Sequence, residues 1–593
     1  MNTEQEIKIC GQCKNQFTIE PDDFGFYEKF GVPPPQMCPL CRAQRRLAFR
    51  NERVFYKRPC DKCKKDVVSM YSPNKPYPVW CYECWFADDW DATEYGQNYD
   101  PVRPILKQIN EVYMKVPKVA LIYVRSVNSE YVNISADNKN CYMLVESSNN
   151  EGCVHSYWVQ QCRDSIDLSF SHQTELAYES DDCYNCYRLF YSRGCHDSRD
   201  SYFLNDCRGC SDCIGCINLR NQQYCVFNKP LGREAYKKFF ADARLDTASG
   251  VEAMRKKFEE FIKAQPRRYA EIINAPGSSG NYINDAKNCR KCFHSYDAED
   301  CAYGEHVWRN AKDCMDVSTA GRNAQMIYNS INTGIDVSNH ICVAQGWSST
   351  FLEYSFNCFN SNHCFGSAGL RKKDYCILNK QYSREEYESL RKKIIDEMKA
   401  KGDYGEFFPI SISLFGYNET VAQEQFPLAK EEALKRGFKW EDHPRGTYGK
   451  ETISWDKVPD SIKDFAPAEV SREIFVCTAC EKNYRIISDE FNFYKKLGVP
   501  LPRLCPDCRH ARRFTARGPN RLWKRQCLCN SVTGDTRPAG GETRQGRQVT
   551  SKYQNTATHF HGDEPCPNEF ETNFSPERKE ILYCGQCYSA ETI

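Results

Sequence analysis

Residues 183–216 read CYNCYRLFYSRGCHDSRDSYFLNDCRGCSDCIGC, and every third position at the start of this stretch is small or apolar: Cys183, Cys186, Leu189, Ser192, Cys195, Ser198, Ser201, Leu204 and Cys207. A helix repeats its buried face every 3.6 residues and a strand every 2, so a period of three belongs to neither. Short strands turned at corners, with small residues pointing inward, satisfy it. The register from Cys153 to Leu219 therefore predicts a β-solenoid-like coil in which each circuit stacks on the next. Cysteines in this copy also recur at 21 residues (Cys141, Cys162 and Cys183; Cys186 and Cys207; Cys195 and Cys216), which predicts a circuit near 20 residues.

The pattern occurs twice. At an offset of 151, Cys141, Cys207, Cys213 and Cys225 align with Cys292, Cys358, Cys364 and Cys376, and Tyr224-Cys225 to Asn228-Lys229 reappears as Tyr375-Cys376 to Asn379-Lys380. Charged stretches with helical periodicity, Arg233–Lys263 and Arg384–Lys399, follow each copy. A second duplication lies outside the first. At an offset of 467, Cys10, Cys13, Cys38, Cys41 and Cys60 align without a gap with Cys477, Cys480, Cys505, Cys508 and Cys527. Phe24, Phe26 and Tyr27 fall on Phe491, Phe493 and Tyr494, and Gly31, Val32, Pro33 and Pro35 on Gly498, Val499, Pro500 and Pro502.

The sequence thus predicts a multidomain, mainly β protein with helical connectors. Its order is a tandem zinc-binding module (1–100), Cys-rich repeat A (101–230), a helical connector (231–280), Cys-rich repeat B (281–380), a helical and extended connector (381–470) and a second zinc-binding module (471–593). At 593 residues the chain exceeds the roughly 250 to 300 that one hydrophobic core serves.

Composition narrows the class. With 41% hydrophobic and 13% aromatic residues the chain is too apolar for disorder, and a net charge of +1 leaves any polyanion to a local patch. Met1 to Ile9 is polar, and no apolar run approaches the roughly 18 residues of a membrane span. A cytoplasmic, thiol-reducing location is the expectation, and there paired cysteines among the 36 signify metal rather than disulfide.

Two C-x-x-C knuckles present four thiolates at the spacing tetrahedral Zn²⁺ needs. The candidate ligands are Cys10, Cys13, Cys38 and Cys41; Cys60, Cys63, Cys81 and Cys84; Cys477, Cys480, Cys505 and Cys508; and Cys527, Cys529, Cys584 and Cys587, three to four structural Zn²⁺ sites in all. A cross-braced pairing of the two N-terminal sets uses the same residues. The last set departs from the rule: one residue separates Cys527 from Cys529, 54 separate that pair from Cys584, and Cys566 is an unpaired extra candidate. Pro39 suits the first turn of a helix over Leu40–Arg53, which places the second knuckle at a helix N-terminus where the dipole favours thiolate.

These elements resemble the zinc-ribbon (treble-clef) family of bacterial proteins: a first C-x-x-C, the aromatic pair Phe26-Tyr27, the turn Pro33–Pro35, then Cys38-Pro39-Leu40-Cys41-Arg42, repeated from Cys477/Cys480 through Arg509. The resemblance covers roughly 50 residues at each end. It implies a zinc fold and no particular reaction. Longer bacterial proteins similar to the whole arrangement share motifs like Tyr417-Asn418-Glu419 and Phe426-Pro427-Leu428, and they too imply no reaction.

Past each second knuckle runs an arginine stripe: Arg42, Arg45, Arg46, Arg50 and Arg53 in one copy, Arg509, Arg512, Arg513, Arg517, Arg521, Lys524 and Arg525 in the other. Their spacing places them broadly on one face, suited to phosphate contacts or to offsetting the 2− charge of a tetrathiolate zinc. Residues 471–530 hold 13 Lys/Arg against 5 Asp/Glu, so the C-terminal module is the stronger nucleic-acid candidate.

Closed four-thiolate sites leave no position for substrate, and H-E-x-x-H, G-x-x-x-x-G-K-[ST] and G-x-S-x-G are absent from the sequence. The sequence therefore predicts a non-enzymatic structural-zinc protein that binds RNA or DNA through its Arg-rich helices, with no small-molecule substrate identified. The alternative is a scaffold for protein partners. A third reading is an iron–sulfur or redox protein using Cys207, Cys210, Cys213 and Cys216; Ser361 and Ser367 stand opposite Cys210 and Cys216 in the second copy, which favours a ladder of small inward residues.

Overall fold

A computed structural model describes residues 4–443, 446–465, 470–530 and 553–592. Residues 531–552, within the second zinc-binding module expected from the sequence, lie outside the described residues.

From Tyr123 to Val226 the backbone bridges to itself in parallel at a constant separation of twelve, as in Tyr142 to Val154, Val154 to Ile166 and Ile166 to Tyr178. A circuit has four sides of three residues. On each side the first residue points inward (Cys141, Cys153 and Cys162 are buried) and the second makes the bridge. The third turns the corner in the left-handed region, as Met143 (φ 56°), Glu146 (φ 50°) and Asn149 (φ 59°) do. The circuit is therefore twelve residues, not the twenty or so suggested by the cysteines. Twenty-one is a multiple of three, so cysteines at that spacing all face inward, but from different sides.

Backbone hydrogen bonding explains the small polar interior. The bridging residue donates forward (Tyr142 N to Cys153 O, 3.0 Å) and the corner residue donates back (Met143 N to Glu130 O, 3.0 Å). The inward residue's N–H points into the core, and a buried N–H must find an acceptor. Inward serines of the preceding circuit supply it: Ser129 Oγ accepts from Cys141 N (3.1 Å), Ser147 Oγ from Val159 N (3.1 Å) and Ser198 Oγ from Cys210 N (3.2 Å). The left-handed corners cost L-residues roughly 1–2 kcal/mol each, least for Asn and Asp. Asn and Asp accordingly recur there and hydrogen-bond in ladders, Asn128 to Asn140 (2.8 Å), Asn185 to Asp197 (2.6 Å) and Asn288 to Asp300 (2.9 Å).

The second coil, Gly280 to Ile377, is a parallel array of the same kind. Its register is twelve at Phe293 and Glu305, thirteen from Ala298 and Ala311 to Ile331 and Ala344, and twelve again from Ser338 and Thr350. The two coils lie side by side, with Phe170 stacked on His294 (4.5 Å between ring centroids) and Trp158 edge-on to Trp308 (5.8 Å).

Helices Arg233–Ala243 and Ala248–Lys263 follow the first coil, and Arg384–Lys401 the second, the last begun by a reciprocal Ser383–Glu386 capping box. The Tyr417-Asn418-Glu419 motif forms a short 3₁₀ turn that straps the connector to the N-terminal module. Tyr417 Oη accepts from Gln44 (2.8 Å), and Glu419 accepts from Tyr56 Oη (2.9 Å) and pairs with Lys75 (3.2 Å).

Each end opens with a hairpin, Glu6–Ile9 with Gln16–Ile19 and Phe475–Val476 with Asn483–Tyr484, whose turn carries the first knuckle. Helices Pro21–Phe30 and Ser488–Leu497 follow, ended by Gly31 (φ 66°) and Gly498 (φ 67°) in the left-handed conformation glycine favours. Next come the arginine helices, Pro39–Leu47 and Pro506–Arg517, capped by Cys38 and Cys505. The N-terminal one stops six residues short of the Arg53 expected from the sequence. Ser413 Oγ donates to the Ala48 carbonyl (2.7 Å), and the Asn51 side chain ties Val54 and Met70 (3.0 and 2.7 Å), so the chain leaves the helix before Arg50.

Candidate metal centres

All 36 cysteines are free thiols. Four thiolates about 2.3 Å from a tetrahedral centre stand about 3.8 Å apart along each edge, far beyond the roughly 2.05 Å of a disulfide. Cys13 and Cys38 sulfurs are 3.9 Å apart, Cys63 and Cys81 3.8 Å, and Cys480 and Cys505 3.7 Å. The three expected quartets Cys10/Cys13/Cys38/Cys41, Cys60/Cys63/Cys81/Cys84 and Cys477/Cys480/Cys505/Cys508 each converge with their sulfurs within 4.8 Å. Ligands pair within each set, not across the two N-terminal sets.

A common construction sets each quartet. Lys14, Lys64 and Glu481, one residue past the first knuckle, take φ of 63°, 64° and 60° and curl the turn back. The first cysteine of the second knuckle donates its backbone N–H to the first ligand: Cys38 to Cys10 Sγ (3.3 Å), Cys81 to Cys60 Sγ (3.2 Å) and Cys505 to Cys477 Sγ (3.2 Å). Such donors favour thiolate. Hydrogen bonding from the Cys41 thiol brings Cys38 down to about 5. At Cys60 and Cys477 burial opposes ionisation, but N–H donors from the knuckles outweigh it and hold both at about 7.

The fourth site differs from the expected set. Cys584 N still donates to Cys527 Sγ (3.1 Å), but the short Cys527–Cys529 gap cannot close a knuckle turn, and Cys529 leaves the quartet. Cys566 takes its place, 4.0 Å from Cys584 and 3.6 Å from Cys587, so the four-thiol group is Cys527, Cys566, Cys584 and Cys587. Cys529 gathers instead with His559, His561 and Cys587. The histidines were missed; the His559-Phe560-His561 alternation just before Cys566 was the available signal.

All seventeen cysteines of the terminal modules enter one of these groups, and among the described residues none of the nineteen in the coils does. Cys207, Cys210, Cys213 and Cys216 are buried, and each thiol approaches the carbonyl two residues earlier, at 3.5, 3.5, 3.2 and 3.4 Å. They act as the inner ladder.

The arginine stripes face inward. Arg42 donates to Asp316 through Nε (2.9 Å) and Nη2 (2.8 Å), and Arg46 pairs with the same carboxylate (3.3 Å). In the other copy Arg509 pairs with Asp167 (2.6 Å), which Arg513 shares (3.3 Å). All six groups are buried, the two carboxylates being fully enclosed corner residues of the coils. Arg50 meets Glu52 and Glu146, Arg517 lies between the Phe170 and Tyr282 rings (3.9 and 4.0 Å) while pairing with Asp181 (2.7 Å), and Arg512 pairs with Glu179. Arg45 is partly buried beside Glu406 (3.8 Å). Arg521 and Lys524 are exposed, and Arg525 donates to the Ser575 carbonyl (2.8 Å).

The docking is crossed at the equivalent pairs: Arg42 and Arg46 of the N-terminal helix clamp the second coil and Arg509 and Arg513 of the C-terminal helix the first. No helix among the described residues is long and apolar enough to cross a membrane. No protein-family model matches the chain, and no curated protein matches it.

Proposed function

We propose that this chain is a non-enzymatic, structural-zinc protein in which treble-clef modules at both ends clamp two β-solenoid coils, and that it serves as a scaffold for protein partners. The observation that carries the zinc reading is the edge spacing of the thiol quartets, 3.6 to 4.0 Å between sulfurs, which fits a tetrahedral ion. Four-thiolate coordination suits Zn²⁺ and is closed to substrate. The scaffold reading is supported by the engagement of the arginine stripes with carboxylates of the same chain. Two tests apply. Zinc should copurify at four or more ions per full chain and its chelation should release the arginine helices to protease; a zinc-free, protease-resistant chain would overturn the reading.

A nucleic-acid surface is the second reading, and its support narrows to Arg521, Lys524 and Arg525 on and beside the strand Trp523–Gln526. Fluorescence anisotropy of the full chain with labelled RNA and DNA across a salt series tests it. Binding that weakens with salt and disappears in Arg521→Glu/Lys524→Glu would select this reading over the scaffold. No binding at low salt would end it.

A further inference from the structure

We propose that the C-terminal module holds two metal ions sharing one thiolate: Cys527, Cys566, Cys584 and Cys587 bind the first, and Cys529, His559, His561 and Cys587 the second. This rests on the zinc reading of the thiol quartets and extends it, because the second group contains the only histidines in any of the five ligand sets found among the described residues.

Three observations carry it. The first is spacing. A nitrogen at about 2.05 Å and a sulfur at about 2.3 Å from a tetrahedral ion stand about 3.5 Å apart. His559 Nδ1 lies 3.2 Å from Cys529 Sγ, and His561 Nε2 lies 3.3 Å from Cys587 Sγ.

The second is the chemistry of the opposite ring nitrogens. His561 Nδ1 is 2.6 Å from the Glu564 carbonyl oxygen, which can only accept, so that nitrogen carries the proton and Nε2 presents a lone pair toward Cys587. His559 Nε2 is 2.8 Å from Glu591 Oε1, which likewise leaves the Nδ1 lone pair facing Cys529. Metal-bound histidines are oriented in this way, by a carbonyl or carboxylate on the far nitrogen. Glu591 is itself fixed by Thr556 N (3.0 Å), Ala557 N (3.2 Å) and Tyr553 Oη (2.9 Å). The arrangement aims two lone pairs at two sulfurs, and a cation between them turns that opposition into coordination.

The third is position and charge. Cys587 belongs to both groups, and a thiolate has lone pairs for two ions. Amide donors meet the outer thiolates, Asn555 Nδ2 at Cys529 Sγ (3.2 Å) and Asn568 Nδ2 at Cys584 Sγ (3.3 Å). One ion with four thiolates carries 2− into a buried site; two ions with five thiolates and two neutral imidazoles carry 1−. The second ion therefore lowers the charge that the buried Cys529, Cys566, Cys587 and His559 must accommodate.

Native mass spectrometry of the zinc-loaded full chain tests the assignment. Five zinc ions are expected, falling to four in both His559→Gln/His561→Gln and Cys529→Ser. Four ions in the natural sequence, or five in the histidine variant, would overturn the second ion while leaving the zinc reading intact; one ion or none would overturn the zinc reading itself. Because a variant can fail for loss of fold, ¹¹³Cd exchange into the unaltered chain gives an independent reading. Two resonances coupled to each other through the shared sulfur are expected, and a spectrum in which no resonance is coupled would refute the bridge.

Discussion

Asp167→Asn tests whether the arginine helix is a clamp. The carboxylate is fully buried and serves both Arg509 (2.6 Å) and Arg513 (3.3 Å), so the change leaves two enclosed guanidinium groups with one charge fewer between them. Breaking a buried pair from one side costs about 3–5 kcal/mol. Glu490 remains 3.4 Å from Arg509, which places the expected loss near the lower end, about 3 kcal/mol. At about 1.4 kcal/mol per tenfold, docking of the helix weakens by roughly a hundredfold. Amide hydrogen exchange over residues 506–517 should accelerate by that factor, while exchange over Pro39–Leu47 stays unchanged. Asp316→Asn should do the reverse. Unchanged exchange and melting in Asp167→Asn would refute the clamp.

Other outcomes follow from the same network. Glu146→Gln should destabilise the fold by about 3 kcal/mol or more in thermal melts, whereas Glu52→Gln should be nearly silent at pH 7. Burial disfavours the charge on both, but Arg50 and His306 hold Glu146 down to about 2, while burial prevails at Glu52 and raises it to about 8. On acidification, Glu179, held at about 2 against burial by Arg512 and Arg255, loses its contribution as pH falls from its ordinary 4.5 through 2. A depressed carboxyl stabilises above the unfolded value, so acid melts should show loosening of the C-terminal helix in that window, relieved in Glu179→Gln. Chelation should detach the terminal modules yet leave the β-type circular dichroism of the coils, whose described cysteines belong to no ligand group; collapse of that signal would show that the metal centres also sustain the coils.

The metal sites were the most legible part of the sequence, because a knuckle is local: four residues fix two ligands. The fourth escaped where locality failed. The gap from Cys529 to His559 spans thirty residues, and nothing in the Cys527–Cys529 spacing says that Cys566 will replace one of its members. The coil was half legible. Inward positions announce themselves every third residue, but they look alike from all four sides, so cysteine recurrence did not measure the circuit. The corner ladders did carry that information, since Asn128 and Asn140, and Asn185 and Asp197, stand twelve residues apart and adopt positive φ. The arginine spacing marked a face correctly but could not say what it faced. Arg42 and Arg509 find their carboxylates 274 and 342 residues away.

Those separations also set an order of assembly. The N-terminal helix emerges first, yet its partner Asp316 is synthesised some 274 residues later. At about 5–20 residues per second the ribosome takes roughly 14 to 55 seconds to make that stretch. Throughout, the first module can bind its metals locally but must hold Arg42 and Arg46 without their shared partner Asp316. The C-terminal helix meets no such delay, because the first coil is complete before Arg509 is made. The crossed pattern thus gives the two duplicated modules unlike histories: one waits for its coil, and the other finds its coil already made.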